Sequence, residues 1–506
     1  MIAIAWIIFA AVILGILIFN YGIVVYLSDP KLSRAREESA DSKLPKFVTV
    51  VGLCLIMLCL GLIPIDIYVV SDTSMSEETR NTMFDVVQIL YYVLYGCILG
   101  AIFVVIPFTY FFYEEFGENV SFCRRVFAGC KYTIFLVLAA VIILVIGLFV
   151  QGGSPSTEDK DYKKYVEKII DTENRGEAVM NFAFACAGLL GLVTWLIYTG
   201  YGFASFPVGF MKGAKDVSEE AGEVDADLVV TQERRRALQS KYMGAGAAMS
   251  RRDEASLSLL RDKERKLNTH AQQLHVAGKG CNRLYGCLRP FFFLFGFFFF
   301  IVTVVLLVSM VLTNIDKLLN SECGFSCGYV LTNPKRWNPL DALLYFPMDY
   351  IVVGLVVMYI FFTTLSGVTS IGIRALWILL YRIKARATRP QGLLLATLIM
   401  MLSLVAFNLE ILTLFPQYAS YGSQTYRDEA GAEQDCSLAA PTELCKMTAI
   451  GTMIHRIFMR MPFFGVICYF ATWVFIGFAS LSLIIAALRS RQSNLNPADE
   501  DPDWDF

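Results

Sequence analysis

The chain has 506 residues, of which 56% are hydrophobic and 17% charged. A soluble domain carries about 25% charged residues and less apolar weight, so that class is excluded. Lys+Arg number 43 against Asp+Glu 45, which removes the basic field that a nucleic-acid binder needs.

What remains is an all-α polytopic membrane protein. Nine apolar runs follow one another: residues 2–27, 47–70, 86–113, 132–150, 179–203, 290–312, 346–365, 392–415 and 462–488. Together they hold three charged side chains, Asp66, Asp349 and Glu410. About 20 helical residues cross a bilayer core, so each run is long enough. Spanning β-strands would be about half as long and alternating, and lipid cannot satisfy an open backbone. Nine transmembrane helices are therefore expected.

The first run is too long for the apolar stretch of a cleaved signal, and no basic residue precedes it, so it is expected to remain as an anchor. Lys31, Arg34, Arg36, Lys43 and Lys46 follow it. With the N-terminus in the lumen, the short cytosolic segments hold 15 Lys/Arg in 81 residues and the opposite side 13 in 122. That is the polarity that membrane insertion favours. The C-terminus is then cytosolic. The sequon Asn119-Val120-Ser121 falls on the cytosolic side and is expected to stay bare.

The chain divides into 1–203 (spans one to five), a cytosolic segment 204–289, 290–488 (spans six to nine) and an acidic cytosolic tail, 489–506. Within 204–289 an acidic stretch leads into Glu233-Arg234-Arg235-Arg236 and then a mixed-charge run from Arg251 to Leu274. Gly244-Ala245-Gly246 separates the two charged runs, which predicts an antiparallel helical hairpin. After the seventh span, the stretch from Ile371 to Arg382 is too short to cross. With Trp377 and Tyr381 it predicts an amphipathic helix lying in the interface, with Lys384, Arg386 and Arg389 toward anionic headgroups. Of the 13 cysteines, Cys323 and Cys327 share one lumenal loop and Cys436 and Cys445 the next. Even numbers facing an oxidising compartment suggest one disulfide per loop.

No Walker A loop, dinucleotide fingerprint, nucleophile elbow or HExxH motif is present. The three histidines, His270, His275 and His455, are scattered. No catalytic residue, metal site or catalytic cofactor is expected, and the chain reads as a carrier, escort or receptor rather than an enzyme. The intramembrane acids are the sharpest local feature, because ionisable groups in a span are costly and usually functional. The orientation puts all three in the lumenal leaflet, where they are expected to line one lumen-open cavity near Asn408. The competing reading makes Asp349 a helix cap and Asp66 a headgroup-level residue.

Several stretches together carry a family resemblance: Leu62-Ile63-Pro64-Ile65-Asp66 through Ser71, Ile106-Pro107-Phe108 through Glu115, Tyr198-Thr199-Gly200-Tyr201-Gly202, and Leu312-Thr313-Asn314-Ile315-Asp316-Lys317. They continue with Phe346-Pro347-Met348-Asp349-Tyr350-Ile351, Arg386-Ala387-Thr388-Arg389-Pro390-Gln391 and Pro416-Gln417-Tyr418 through Gln424. In this order they resemble the lipocalin-interacting membrane receptor family, and its cobalamin branch more than its lipocalin-receptor branch. The Cys436/Cys445 spacing also resembles that family's last lumenal loop. The resemblance implies a nine-span lysosomal membrane protein needed for cobalamin to leave the lysosome. It also implies cobalamin as cargo and, as partner, an ABC half-transporter of subfamily D that performs the ATP-driven step. Endocytic adaptors are further partners that the resemblance brings, through a receptor role with a protein ligand such as a lipocalin.

Overall fold

The computed structural model describes residues 2–28, 43–72, 76–114, 122–151, 175–213, 217–243, 250–278, 282–320, 338–340, 342, 345, 347–375, 378–384, 388–427, 432–436, 440, 444–460 and 462–488. Cys323, Cys327, Trp377, Arg386, the sequon and the acidic tail lie outside them.

Helices dominate. In chain order they begin with α1 (Ile2–Leu27), α2 (Lys43–Ser71), α3 (Glu77–Glu114) and α4 (Phe122–Gln151). Next comes α5, built from Arg175–Thr194, a wide π turn at Trp195–Thr199, and Gly200–Lys212. Then follow α6 (Val217–Met243), α7 (Arg251–Gly278), α8 (Asn282–Asn320) and α9 (Met348–Ile371). Strands β1 (Ile373–Ala375) and β2 (Ile378–Tyr381) precede α10 (Pro390–Leu414) and the one-turn α11 (Tyr418–Tyr421). Strands β3 (Thr425–Arg427) and β4 (Glu433–Asp435), α12 (Ala449–Arg460) and α13 (Pro462–Leu488) complete the order. Among the described residues, eight helices are long and apolar enough to cross a membrane: α2, α3, α4, α5, α8, α9, α10 and α13. α1 adds 26 uncharged residues.

Two compact units emerge, Met1–Phe206 with Ile301–Ile484 and Pro207–Phe300 with Ile485–Phe506. In the second, α6 and α7 pair as an antiparallel hairpin. Arg235 Nε lies 2.8 Å from Glu264 Oε2, and Tyr242 at the other end donates to Asp253. Lys212 Nζ donates to the carbonyls of Ala486 and Ala487, both at 2.8 Å, satisfying acceptors that a helix C-terminus leaves open.

The first unit is organised around α10. Of its most apolar window 83% is buried, against 11% for α4. This is why α10 tolerates Asn408 and Glu410: it faces protein rather than lipid. Small residues bring helices onto one another, as membrane packing requires. A Cβ on Gly202 of α5 would sit 1.8 Å from the Thr363 carbonyl of α9, and one on Gly367 of α9 would sit 1.8 Å from the Tyr198 carbonyl of α5. The Thr199 and Thr364 hydroxyls, 2.9 Å apart, and those of Ser205 and Ser366, 3.0 Å apart, bond across the same crossing. In α3 the turn widens at Ala101–Val105, just before Pro107. Proline has no N–H to give and collides with the carbonyl four residues back, and a wide turn relieves both.

Two expectations are corrected. The stretch after α9 is a β-hairpin, not an amphipathic helix. Gly372 takes φ 74° and stops α9, and the residues Ile378 to Tyr381 beyond it alternate in exposure along β2. The sixth span does not end at Leu312. Its helix continues to Asn320, because Leu306, Met310, Thr313 and Lys317, spaced four, three and four apart, form one buried face. The connection 416–461, for which the sequence set no expectation, holds the 12-residue helix α12, whose Ile450, Ile454 and Ile457 are buried at helical spacing.

The α5–α9 crossing makes a direct prediction. Gly367→Val should overpack it and cost about 1–3 kcal/mol or more, read as a lower thermal midpoint of the solubilised protein. Gly209→Ala, where nothing lies within 4 Å, should leave the midpoint almost unmoved. An unchanged midpoint for Gly367→Val would contradict the close approach.

Candidate functional site

Two of the intramembrane acids meet the segment that follows α10. Asp66 lies on α2, fully buried, and its carboxylate accepts the backbone N–H of Ala449 at 3.0 Å and of Ile450 at 2.9 Å. These are the first residues of α12. A helix N-terminus leaves its first N–H groups without partners and carries positive partial charge, so the carboxylate satisfies both. Thr448 completes the cap. Its hydroxyl accepts from Gly451 N–H at 3.1 Å and donates to the Ala419 carbonyl, while its own N–H bonds the Ser420 carbonyl at 2.8 Å.

Asp349, also fully buried, starts α9. Its Oδ2 accepts from the Ser71 hydroxyl at 2.9 Å and its Oδ1 from Tyr350 N–H at 2.8 Å. The Ser71 oxygen in turn accepts Ser423 N–H at 3.0 Å. The backbone of Gly422 passes so close that a Cβ would lie 2.2 Å from that oxygen, and its φ is 61°. Ser71 thus joins the end of α2, the start of α9 and the turn after α11. Gln424 extends the network. Its amide donates to the Lys446 carbonyl at 2.9 Å and accepts Lys446 N–H at 2.8 Å, pairing as a peptide group would. Its own carbonyl accepts Cys436 N–H at 2.9 Å. Cys436 is disulfide-bonded to Cys445, with 5.7 Å between Cα atoms, and both are buried with Tyr421, Ala440 and Met447.

Glu410 has a different set of partners. Its Oε2 accepts from Thr472 of α13 at 2.7 Å and from Thr413 at 3.3 Å. Lys317 of α8, 1% exposed, donates to the same Thr413 hydroxyl at 2.7 Å, and its ammonium attracts Glu410. A buried ion is tolerated when paired and bonded in this way. Asn408 turns elsewhere. Two residues are about 200° around a helix, and Asn408 faces Cys59 of α2. Bonding therefore divides the four expected site residues: Asp66 and Asp349 join the cap over the bundle end, Glu410 the α8–α10–α13 contact, and Asn408 the α2 side.

Apolar patterning alone does not reveal Ser71, Lys317, Gln424 or Thr448 as bonding residues. Lys317 was the most findable, since it continues the face of Leu306, Met310 and Thr313. Of the titratable groups in the cap, Lys446 is held below its ordinary value by burial and by Arg80. Burial pushes His455 of α12 down to about 4.

The family model described as LMBR1-like membrane protein matches residues 5–284. A Dictyostelium discoideum protein named "Probable lysosomal cobalamin transporter" is 39% identical over 503 residues, 97% of each chain. A Danio rerio protein named lysosomal cobalamin transport escort protein LMBD1 is 31% identical, covering 99% of this chain and 96% of its own. Its Mus musculus namesake is 29% identical over the same shares. No solved structure matches significantly.

Asp66→Ala would leave two buried N–H groups without acceptors, at about 1–3 kcal/mol each, and should lower the thermal midpoint more than Asp66→Asn does. Equal midpoints for wild type and Asp66→Ala would refute the capping role. His455 makes stability pH-dependent. A histidine whose folded pKa is depressed must shed its proton to fold, so its stability is complete above about pH 6.5. It then falls by about 1.4 kcal/mol per unit toward the folded value of about 4. The wild-type midpoint should drop between neutral and lysosomal pH, and His455→Asn should flatten that slope. Parallel slopes would exclude His455 as the source.

Proposed function

The chain belongs to the LMBR1-like membrane protein family, and on that premise we propose that it is a lysosomal membrane protein required for cobalamin to pass from lysosome to cytosol. It acts as escort of an ABC half-transporter of subfamily D, which supplies the ATP-driven step. The observation that carries this reading is similarity along nearly the whole chain to relatives whose names describe lysosomal cobalamin transport and its escort. The N-terminus is lumenal and the C-terminus cytosolic, in keeping with the Lys/Arg distribution. In this orientation the disulfide-bonded cap over α2, α9 and α10 faces the lumen. The α6–α7 hairpin, within 204–289, is cytosolic and offers a mixed-charge face to the partner. The chain carries no nucleotide motif, in keeping with a partner that has one, and no catalytic role is assigned to it.

Escort is favoured over conduction by the interior. Asp66, Asp349, Glu410 and Lys317 are all engaged in bonds between elements. A pocket among α2, α9 and α10, lined by Leu60, Phe361, Met400 and Phe407, has a cavity volume of only about 20 Å³. Pockets for drug-sized ligands run from about 300 Å³ upward, and a corrinoid is larger than such ligands.

Cells lacking the protein should hold labelled cobalamin in lysosomes and starve cobalamin-dependent enzymes. Normal release would overturn the export role. Liposomes containing this chain alone should show no cobalamin flux; flux there would overturn the escort reading while keeping export.

A further inference from the structure

The β1–β2 hairpin has no part in the cap. It lies between two spanning helices, α9 and α10, joined by residues 372–389 alone. Its strands are 3 and 4 residues long, so the hairpin projects only about 10–13 Å from the helix ends and stays at the interface. Its level is fixed by neighbours. Thr388 N–H donates to the Leu27 carbonyl at the end of α1, at 3.1 Å, and Thr388 pairs with Ser28. The Tyr381 hydroxyl lies 3.4 Å from that of Tyr110, near the end of α3, and Arg374 N–H donates to the Tyr198 hydroxyl of α5 at 3.3 Å. The Thr388 hydroxyl closes the following turn, accepting from Lys384 N–H at 3.0 Å and donating to the Lys384 carbonyl at 2.7 Å. Helix ends from α1 and α3 converge here, and Tyr26, 60% exposed, stands two residues before Ser28, as aromatic residues do at membrane boundaries.

The hairpin is tied down on one face and bare on the other. Ile378 is 69% exposed and Leu380 49%, and strand alternation puts them on one face. Around them Arg374, Arg382 and Arg389 are exposed, and the stretch from Ser366 to Gln391 contains no acid. Glu114, at the end of α3, is an acid that faces Tyr381 from a neighbouring element, and it leaves the basic excess intact. A rigid blade with two apolar side chains at its face and arginines at its rim fits one surface chemistry: acyl chains below, phosphate above.

We propose that this hairpin is a binding site for anionic phospholipid, with Ile378 and Leu380 entering the acyl boundary and Arg374, Arg382 and Arg389 holding headgroup phosphates. Arginine suits the role because its planar fork meets phosphate oxygens in pairs.

The test uses the full chain purified in mild detergent with phosphatidylcholine and phosphatidylserine present together, read by native mass spectrometry. Wild type should retain phosphatidylserine in preference. Each change among Arg374→Gln, Arg382→Gln and Arg389→Gln should lower retention about fivefold, whereas arginine-to-lysine changes should keep most of it. Ile378→Ser with Leu380→Ser should lower retention of both lipids. A triple glutamine variant that holds phosphatidylserine at the wild-type level would overturn the proposal. So would serine variants that lose a co-purifying protein while lipid retention stays unchanged, since the blade would then be a protein contact. Should the variants fail to fold, wild type alone decides. Hydrogen exchange across 373–384 should slow in nanodiscs containing phosphatidylserine relative to phosphatidylcholine alone, and high salt should reverse the effect. Identical exchange in the two bilayers would overturn it.

Discussion

The carboxylate of Asp66 at the start of α12 is the contact on which the bundle end depends. A helix of 12 residues is marginal by itself, and its first N–H groups point into a fully buried place. Without water, those groups and the acid would each be costly to bury. Together they satisfy one another. Because α12 is held there, Thr448 meets Ser420 and Ala419, Ser71 meets Ser423 and Asp349, and Gln424 meets Lys446. The cap is one continuous hydrogen-bonded structure linking the ends of α2, α9 and α10.

Lower in the bundle the same logic takes another form. Lipid is as apolar as leucine, so burying leucine does little to hold spans together. Close backbone approach and polar bonds take its place. Gly202 and Gly367 supply the approach, and Lys317, Thr413, Glu410 and Thr472 supply the bonds across three helices. Gly188, against Leu409 of α10, and Gly202, against Thr363 of α9, are occupied within the chain.

Much of this was legible in the sequence. Spans declare themselves because roughly 20 apolar residues without charge have one common use, and the motif-bearing stretches around Asp66, Asp349 and Gln424 turn out to be those that meet in the cap. What escaped has physical causes. Lys317 reads as a flank because a cation after an apolar run normally is one, and only the continued helical face reveals it. Residues from Ile371 to Arg382 read as a helix because Trp377, Tyr381 and the basic residues suit an interfacial helix as well as a hairpin, while the left-handed conformation of Gly372 is invisible in a string of letters. α12 hides in a loop because its apolar stripe is short and its stability comes from an acid some 380 residues away in sequence.

The wide turn in α5 has a geometric consequence. One residue in excess of a regular helix shifts the phase of all that follows by about 100°. Before the turn, Gly188 and Gly191 address α10; after it, Gly202 and Ser205 address α9. A regular helix would bring Gly188 and Gly202 to nearly the same bearing, fourteen residues apart. The helix behaves as a crankshaft with two throws set more than a third of a turn apart, each seated on a different neighbour. Such a part is insensitive to many changes of side chain but sensitive to added length. Dropping a single residue from Trp195–Thr199 would let the wide turn close to a regular one with both throws still seated, whereas adding one would swing the second throw about 100° away from α9.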